Sequence, residues 1–250
     1  MQWKPSIIRR INQVLKPLGV RLQRRGGAPT LQDLFRMAPV LWRVPAHGIR
    51  IESVMDLGAS DGRWSIAARR VFPEARFLAV EPLIEQKPAL ERVKAGWPGF
   101  DYALCAAGEP GQHQAALVVS DDLVRSTVGG NGGNARAVPV KTLDQLAVEH
   151  HLTGPFLLKF DTHGYEVPIL RGATQVLRDT QIIVMEVYNF DVTEHSRRFP
   201  QMCLYLEELG FRCYDIADPM LREHDSALWQ MDMFFMRKDN ALFRHARYGK

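Results

Sequence analysis

Three short stretches of this 250-residue chain hold residue types from which a reactive site could be built. The first is Val54-Met55-Asp56-Leu57-Gly58-Ala59-Ser60-Asp61-Gly62. An apolar run ends in a glycine turn and a helical pattern follows. Gly58 and Gly62 let the turn bend tightly and its backbone approach a ligand, while the helix start offers free N–H groups to an anion. The spacing is neither G-x-G-x-x-G nor a phosphate-binding Gly-Lys-Ser/Thr loop. The second stretch, Leu78-Ala79-Val80-Glu81-Pro82, ends the next apolar run on a carboxylate. An acid at that point in a nucleotide-binding sheet can accept hydrogen bonds from both ribose hydroxyls. The third runs Leu157-Leu158-Lys159-Phe160-Asp161-Thr162-His163-Gly164-Tyr165-Glu166, then Pro168-Ile169-Leu170-Arg171-Gly172-Ala173, then Val184-Met185-Glu186-Val187. It concentrates an ammonium, an imidazole and several carboxylates.

These residues need a scaffold, and the hydropathy pattern supplies one. Ser53–Leu57, Phe77–Val80, Tyr102–Cys105, Phe156–Phe160 and Ile182–Val187 read as strands with little polar alternation, the mark of strands buried on both faces. Between them lie helical segments at Trp64–Val71, Ile84–Ala95, Leu143–His150 and Val167–Leu177. Thr142-Leu143-Asp144-Gln145 fits a capping box. Such alternation predicts an α/β protein with a mainly parallel sheet covered on both faces. Ligands then bind at the carboxyl ends of the strands, where all three reactive stretches fall.

Two regions depart from the alternation. Strand-like Ala115–Val119 and Val138–Lys141 flank a polar stretch, 120–136, containing Gly129-Gly130-Asn131-Gly132-Gly133-Asn134, which reads as a mobile loop. The C-terminal part runs helix Phe199–Leu209, strand Arg212–Ile216, turn, strand Met231–Met236; these last two strands can pair antiparallel at the sheet edge.

The chain is 46% hydrophobic and 24% charged, a globular composition. Its net charge of +4 and pI near 9.0 would suit a nucleic-acid or anionic-membrane partner. The distribution argues otherwise. Residues 1–25 carry seven basic side chains and no acid, and 237–250 carry a net +4, which leaves 26–236 seven charges negative. No basic groove for nucleic acid is expected on so acidic a body. Three cysteines, Cys105, Cys203 and Cys213, without a C-x-x-C pair give neither a disulfide framework nor a zinc site. With neither a spanning apolar run nor a signal-peptide pattern, a cytoplasmic location is expected. Ile7, Ile11, Val14 and Leu18 form one helical stripe that ends near Pro17. Residues 1–48 are thus read as a basic helical extension, packed on the domain or a partner subunit or lying on anionic lipid, and 49–250 as the main domain. Within the extension, Gly26-Gly27-Ala28-Pro29 reads as a linker and Thr30–Trp42 as a short helix.

Asp56-x-Gly58-x-x-x-Gly62 resembles the first motif of class I methyltransferases that use S-adenosylmethionine. The third stretch is similar to the FkbM family of methyltransferases, whose K-x-D-x-x-G-x-E, L-x-G-A and strand-ending Glu appear here as Lys159, Asp161, Gly164 and Glu166, then Leu170, Gly172 and Ala173, then Glu186. The resemblance takes in Val140-Lys141-Thr142-Leu143-Asp144 and Trp229-Gln230-Met231-Asp232-Met233-Phe234-Phe235, and covers roughly residues 51–238. It implies a Rossmann-like class I methyltransferase fold: a mainly parallel seven-stranded sheet with helices on both faces and an antiparallel C-terminal edge strand. It implies S-adenosylmethionine as cofactor and O-methylation of a small metabolite such as a sugar or polyketide. By the same resemblance the cofactor lies across Asp56, Gly58, Ala59, Ser60, Asp61 and Gly62, with Glu81 and Pro82 at the ribose, Cys105 and Ala106 near the adenine, and Asp161 toward the methionine end.

An aliphatic hydroxyl attacks a methyl group efficiently only as it loses its proton. His163, with an ordinary pKa near neutrality, is the first candidate for the base, and Asp161 assists or replaces it. A hydrogen-bonded turn histidine is the plain alternative. Glu186 is read as an acceptor-binding carboxylate or a structural partner of Lys159, and His195 as lining the acceptor pocket or solvated. Asp161, His163, Glu186 and Asp191 could together hold Mg²⁺, but their spacing is loose and no metal is assigned. The competing functional reading is a cofactor-binding, catalytically weak module acting through protein or membrane contacts of its basic arm. A homodimer is left open.

Overall fold

The computed structural model describes residues 36–120, 123, 126–129 and 135–248. The chain divides between Leu34 and Phe35, and the described residues all belong to the second, compact unit, Phe35–Lys250. The basic arm and its helical stripe lie outside the described residues, as does most of the Gly-Asn run.

A seven-stranded sheet organises the second unit, in the order β10-β11-β9-β8-β1-β2-β3. Its strands are β1 (Ser53–Leu57), β2 (Arg76–Val80), β3 (Phe100–Ala103), β8 (Phe156–Phe160), β9 (Thr180–Tyr188), β10 (Phe211–Leu221) and β11 (Leu228–Arg237). β3, β2, β1, β8 and β9 run parallel, while β11 is antiparallel to both β9 and β10. The antiparallel strand sits one position in from the edge, inserted between β9 and β10. β1 and β8 are buried along their whole length, which is why they read as unbroken apolar runs.

Alternate residues of each strand feed two cores, as the period of two requires. One face sends Val54, Phe77, Leu157, Val184 and Phe234 against α1 (Met37–Ala46), α2 (Arg63–Ala68) and α3 (Lys87–Gly96). The other sends Met55, Leu78, Leu158, Ile183 and Phe235 against α4 (Leu143–Glu149), α5 (Glu166–Arg171), α6 (Thr174–Asp179) and α7 (Phe199–Glu208). A smaller sheet joins this second layer: β4 (Ala106–Ala107), β5 (Gln114–Val118), β6 (Thr127–Val128) and β7 (Ala135–Lys141), in the order β4-β7-β5-β6.

Several elements differ from the sequence reading. The helix expected over Val167–Leu177 breaks into α5 and α6 at Gly172. A Cβ there would lie 2.1 Å from the carbonyl oxygen of Gly108, so two backbones pass where only glycine fits. The segment Ile84–Ala95 opens with a 3-10 turn, Ile84–Gln86, before α3. β3 ends at Ala103, and Ala106–Ala107 crosses into the smaller sheet. The polar stretch 120–136 contains β6, which pairs with β5. Of the helix read over Thr30–Trp42, residues 30–35 lie outside the described residues, and α1 begins at Met37 and runs on to Ala46. α1 packs on β10, with Arg43 and Asp215 2.5 Å apart, so it belongs to the compact unit and not to a separate extension. The Thr142 cap forms as read: its hydroxyl accepts from the Gln145 amide at 3.1 Å, and the Gln145 side chain accepts from Thr142 N–H at 2.9 Å. All three cysteines are free. Among the described residues no helix is long and apolar enough to cross a membrane.

Candidate active site

The carboxyl ends of β2, β1, β8 and β9 open into a cavity of about 620 Å³. Gly58, Ser60, Glu81, Pro82, Cys105, Ala106, Asp161, His163 and Glu186 line it, so nine of the sequence candidates share one space. Asp56, Ala59, Asp61, Gly62 and His195 are not among its lining residues.

The turn after β1 is built by backbone crossings. Gly58 and Ala59 donate to the Val80 carbonyl, and Asp161 N–H donates to the Leu57 carbonyl at 2.9 Å. Gly58 has φ 73°, and a Cβ there would lie 2.0 Å from the Asp161 carbonyl oxygen. Glu81 is almost fully buried and accepts from the Ser60 N–H (2.7 Å) and the Leu83 N–H (2.8 Å). Burial nonetheless pushes its carboxyl above the ordinary range. Each carboxylate oxygen keeps a further acceptor site, so hydroxyl donors from a ligand would relieve that cost.

Asp56 has a structural task. It is fully buried on the α2 side of β1, where its Oδ2 accepts from the Ser65 hydroxyl at 2.7 Å and its Oδ1 finds no hydrogen-bond partner among the described residues. The strand register sets it opposite Lys159, and Lys159 Nζ lies 2.5 Å from Asp161 Oδ2. Burial raises Asp56 against the opposing pull of Lys159. For Asp161 the same ammonium outweighs burial and holds the carboxyl below its usual range. Lys159 itself is held above its usual range by Asp161 and Asp56 in spite of burial. Lys159 therefore pairs with Asp161, and the alternative pairing with Glu186 does not form. Asp61 is tied at the surface to Arg63, 2.6 Å away.

Beyond β8 and β9 the polar groups converge. His163 Nδ1 lies 2.8 Å from the Tyr188 hydroxyl, 3.3 Å from Glu186 Oε1 and 3.9 Å from Asp161 Oδ1. Tyr188 donates to Glu186 Oε1, and the Gln230 amide donates to Glu186 Oε2. Asp161, His163 and Glu186 offer ligand atoms within 4.8 Å of one another, so three of the four residues considered for Mg²⁺ come together. Asp191 does not join them; it is exposed and 3.6 Å from Arg198. His195 packs edge-on to Tyr165 at 5.6 Å, with its side chain substantially exposed.

Tyr188 and Gln230 escaped the sequence reading. Tyr188 had a usable signal, since it follows Glu186 by two residues and so shares its face of β9. Gln230 lies in the closing motif, but nothing local ties it to Glu186, because it arrives on β11 from 44 residues away.

A mainly parallel sheet of this order, with a cavity at its carboxyl edge, is the Rossmann-like class I methyltransferase fold. The model of the methyltransferase FkbM domain matches residues 56–213, and the chain belongs to that family, whose methyl donor is S-adenosylmethionine. Among solved structures it is similar to a methyltransferase FkbM from Methylobacillus flagellatus KT (17% identity, TM-score 0.49), covering 74% of this chain and 43% of that one. It thus spans less than half the length of that protein. It is also similar to a Burkholderia thailandensis 1,6-didemethyltoxoflavin-N1-methyltransferase (15% identity, TM-score 0.44), covering 81% of this chain and 79% of that one. A third likeness is Aeropyrum pernix fibrillarin in complex with S-adenosyl-L-methionine (14% identity, TM-score 0.45), covering 75% and 67%. No curated protein sequence matches the chain.

The lining fits the cofactor. Glu81 offers a buried acceptor for hydroxyls, Leu83, Cys105 and Ala106 a largely apolar bed for a flat base, and Asp161 and Glu186 negative charge for a sulfonium.

Proposed function

We propose that the chain transfers a methyl group from S-adenosylmethionine to a hydroxyl oxygen of a small metabolite, such as a sugar, a polyketide or a related natural product. The observation that carries this reading is one cavity with Glu81 at the end of β2 and the His163, Asp161 and Glu186 group at β8 and β9. β2 and β9 are three strand spacings apart, about 14 Å. That length accommodates a ribose at one end and a reacting centre at the other.

When bound, the cofactor supplies an electrophilic methyl group on a positively charged sulfur. The protein positions and deprotonates. Glu81 holds the ribose hydroxyls, and Asp161, fixed by Lys159, faces the sulfonium end. Alignment of the acceptor oxygen with the methyl group is worth up to about 7–11 kcal/mol for well-oriented reactants. His163 takes the proton of the acceptor hydroxyl during attack, a contribution of roughly 10²–10⁴-fold. Glu186 and the cavity wall beside Trp229 receive the acceptor.

The test is turnover of hydroxylated sugars and polyketides followed by mass spectrometry, in the full chain and in His163→Ala. The variant is expected to lose roughly 10²–10⁴-fold in kcat and to keep its cofactor affinity by calorimetry. Normal turnover would reduce His163 to a turn residue, and methylation confined to nitrogen acceptors would overturn the hydroxyl assignment.

A further inference from the structure

We propose that Tyr188 is a positioning residue: its hydroxyl, backed by Glu186 and Gln230, fixes His163 as the tautomer protonated at Nδ1 and so presents the basic lone pair at Nε2. The proposal rests on the reading of His163 as the base and adds what orients it.

The donor directions decide the tautomer. The single Tyr188 proton goes to Glu186 Oε1. Burial and the adjoining carboxylate hold the phenol far above its usual range, so that proton stays on oxygen. Toward His163 the Tyr188 oxygen can then act only as an acceptor. Across 2.8 Å the ring nitrogen must be the donor, and Nδ1 carries the hydrogen. Glu186 Oε1, 3.3 Å from the same nitrogen, demands the same assignment. A neutral imidazole protonated at Nδ1 has its lone pair on Nε2.

The backbone and the outer residues hold this arrangement. His163 has φ 51°, a left-handed conformation that few side-chain-bearing residues adopt, and the Thr127 hydroxyl donates to its carbonyl oxygen at 3.2 Å. Glu186 is fixed from its other side by the Gln230 amide, carried in on β11. Tyr188 is buried and packs edge-on to Trp229 at 5.7 Å. Among the described residues, the charged or titratable groups around the imidazole include Asp161 following β8, Glu186 and Tyr188 from β9, Glu166 from α5, and Lys159 behind Asp161.

Side-chain ¹⁵N spectra of the full chain, with the His163 ring assigned through His163→Gln, report the tautomer directly. The expected result is protonation at Nδ1 in the wild type and a mixture with the Nε2-protonated form in Tyr188→Phe. The same variant should lose about 10–100-fold in kcat, less than the base itself contributes, with acceptor KM and cofactor affinity changed less than about twofold. An Nε2-protonated ring in the wild type overturns the proposal even if Tyr188→Phe does not fold. Undiminished turnover in Tyr188→Phe overturns it while leaving His163 as base, whereas undiminished turnover in His163→Ala removes the base reading itself. Turnover abolished by a chelator and restored by Mg²⁺ would make His163 and Glu186 metal ligands and would also overturn it.

Discussion

Gly58 and Asp161 touch through their backbones: a Cβ on residue 58 would sit 2.0 Å from the Asp161 carbonyl oxygen. The glycine of the first turn is therefore also the spacer that lets β1 and β8 deliver their ends to one cavity. Gly58→Ala adds that overlap to a positive φ, a backbone cost alone of about 1–2 kcal/mol. Denaturant unfolding should show at least this loss, and cofactor affinity should fall with it, because the overlap pushes Asp161 away. Full stability with normal affinity would show that the turn relaxes freely.

Lys159 is the ammonium between two carboxylates, one of them wholly buried. Lys159→Met leaves Asp56 and Asp161 without compensation. Removing one partner of a buried pair costs about 3–5 kcal/mol, and urea titration of the variant should show a loss of that order. Adding Asp56→Asn to Lys159→Met should recover part of it.

Glu81→Ala removes the carboxylate assigned to the ribose. Hydrogen bonds to charged groups contribute about 1.5–3 kcal/mol, so the dissociation constant for S-adenosylmethionine should rise about 10–100-fold by calorimetry. Glu81 also caps the Ser60 and Leu83 amides, so the loss should accompany a modest fall in stability. Unchanged affinity would move the ribose elsewhere.

Asp232 faces Glu186 across the β11–β9 register. Burial, joined by Glu186 and Asp161 and opposed by Lys159, pushes its carboxyl up to about 7. Its folded pKa thus exceeds the unfolded value near 3.8. Between these values the unfolded chain releases a proton that the folded chain keeps, so this group's stabilisation, full below pH 3.8, is lost progressively up to about pH 7. Asp232→Asn should gain stability relative to the wild type across that window, with the difference levelling off above pH 7. A difference independent of pH between 4 and 8 would contradict this.

By itself the sequence determined the parts that local pattern encodes. Buried strands announced themselves as short apolar runs, and the glycine turn, Glu81, Asp161, His163 and Glu186 fell at their ends, where a parallel sheet places its ligands. The Thr142 cap was equally legible, since all its partners lie within four residues. Tertiary structure decided which of these residues share a space and which pair with each other. Asp56 sits in the strongest local motif, yet the pleat turns it toward α2 and Lys159 and away from the cavity wall. Glu186 finds its partners only because β11 inserts beside β9, setting Gln230 and Asp232 against it from more than 40 residues away. Period and turn chemistry fix the face a side chain takes within its own strand. Which strand lies next to it, and in what register, is settled by the packing of the whole sheet.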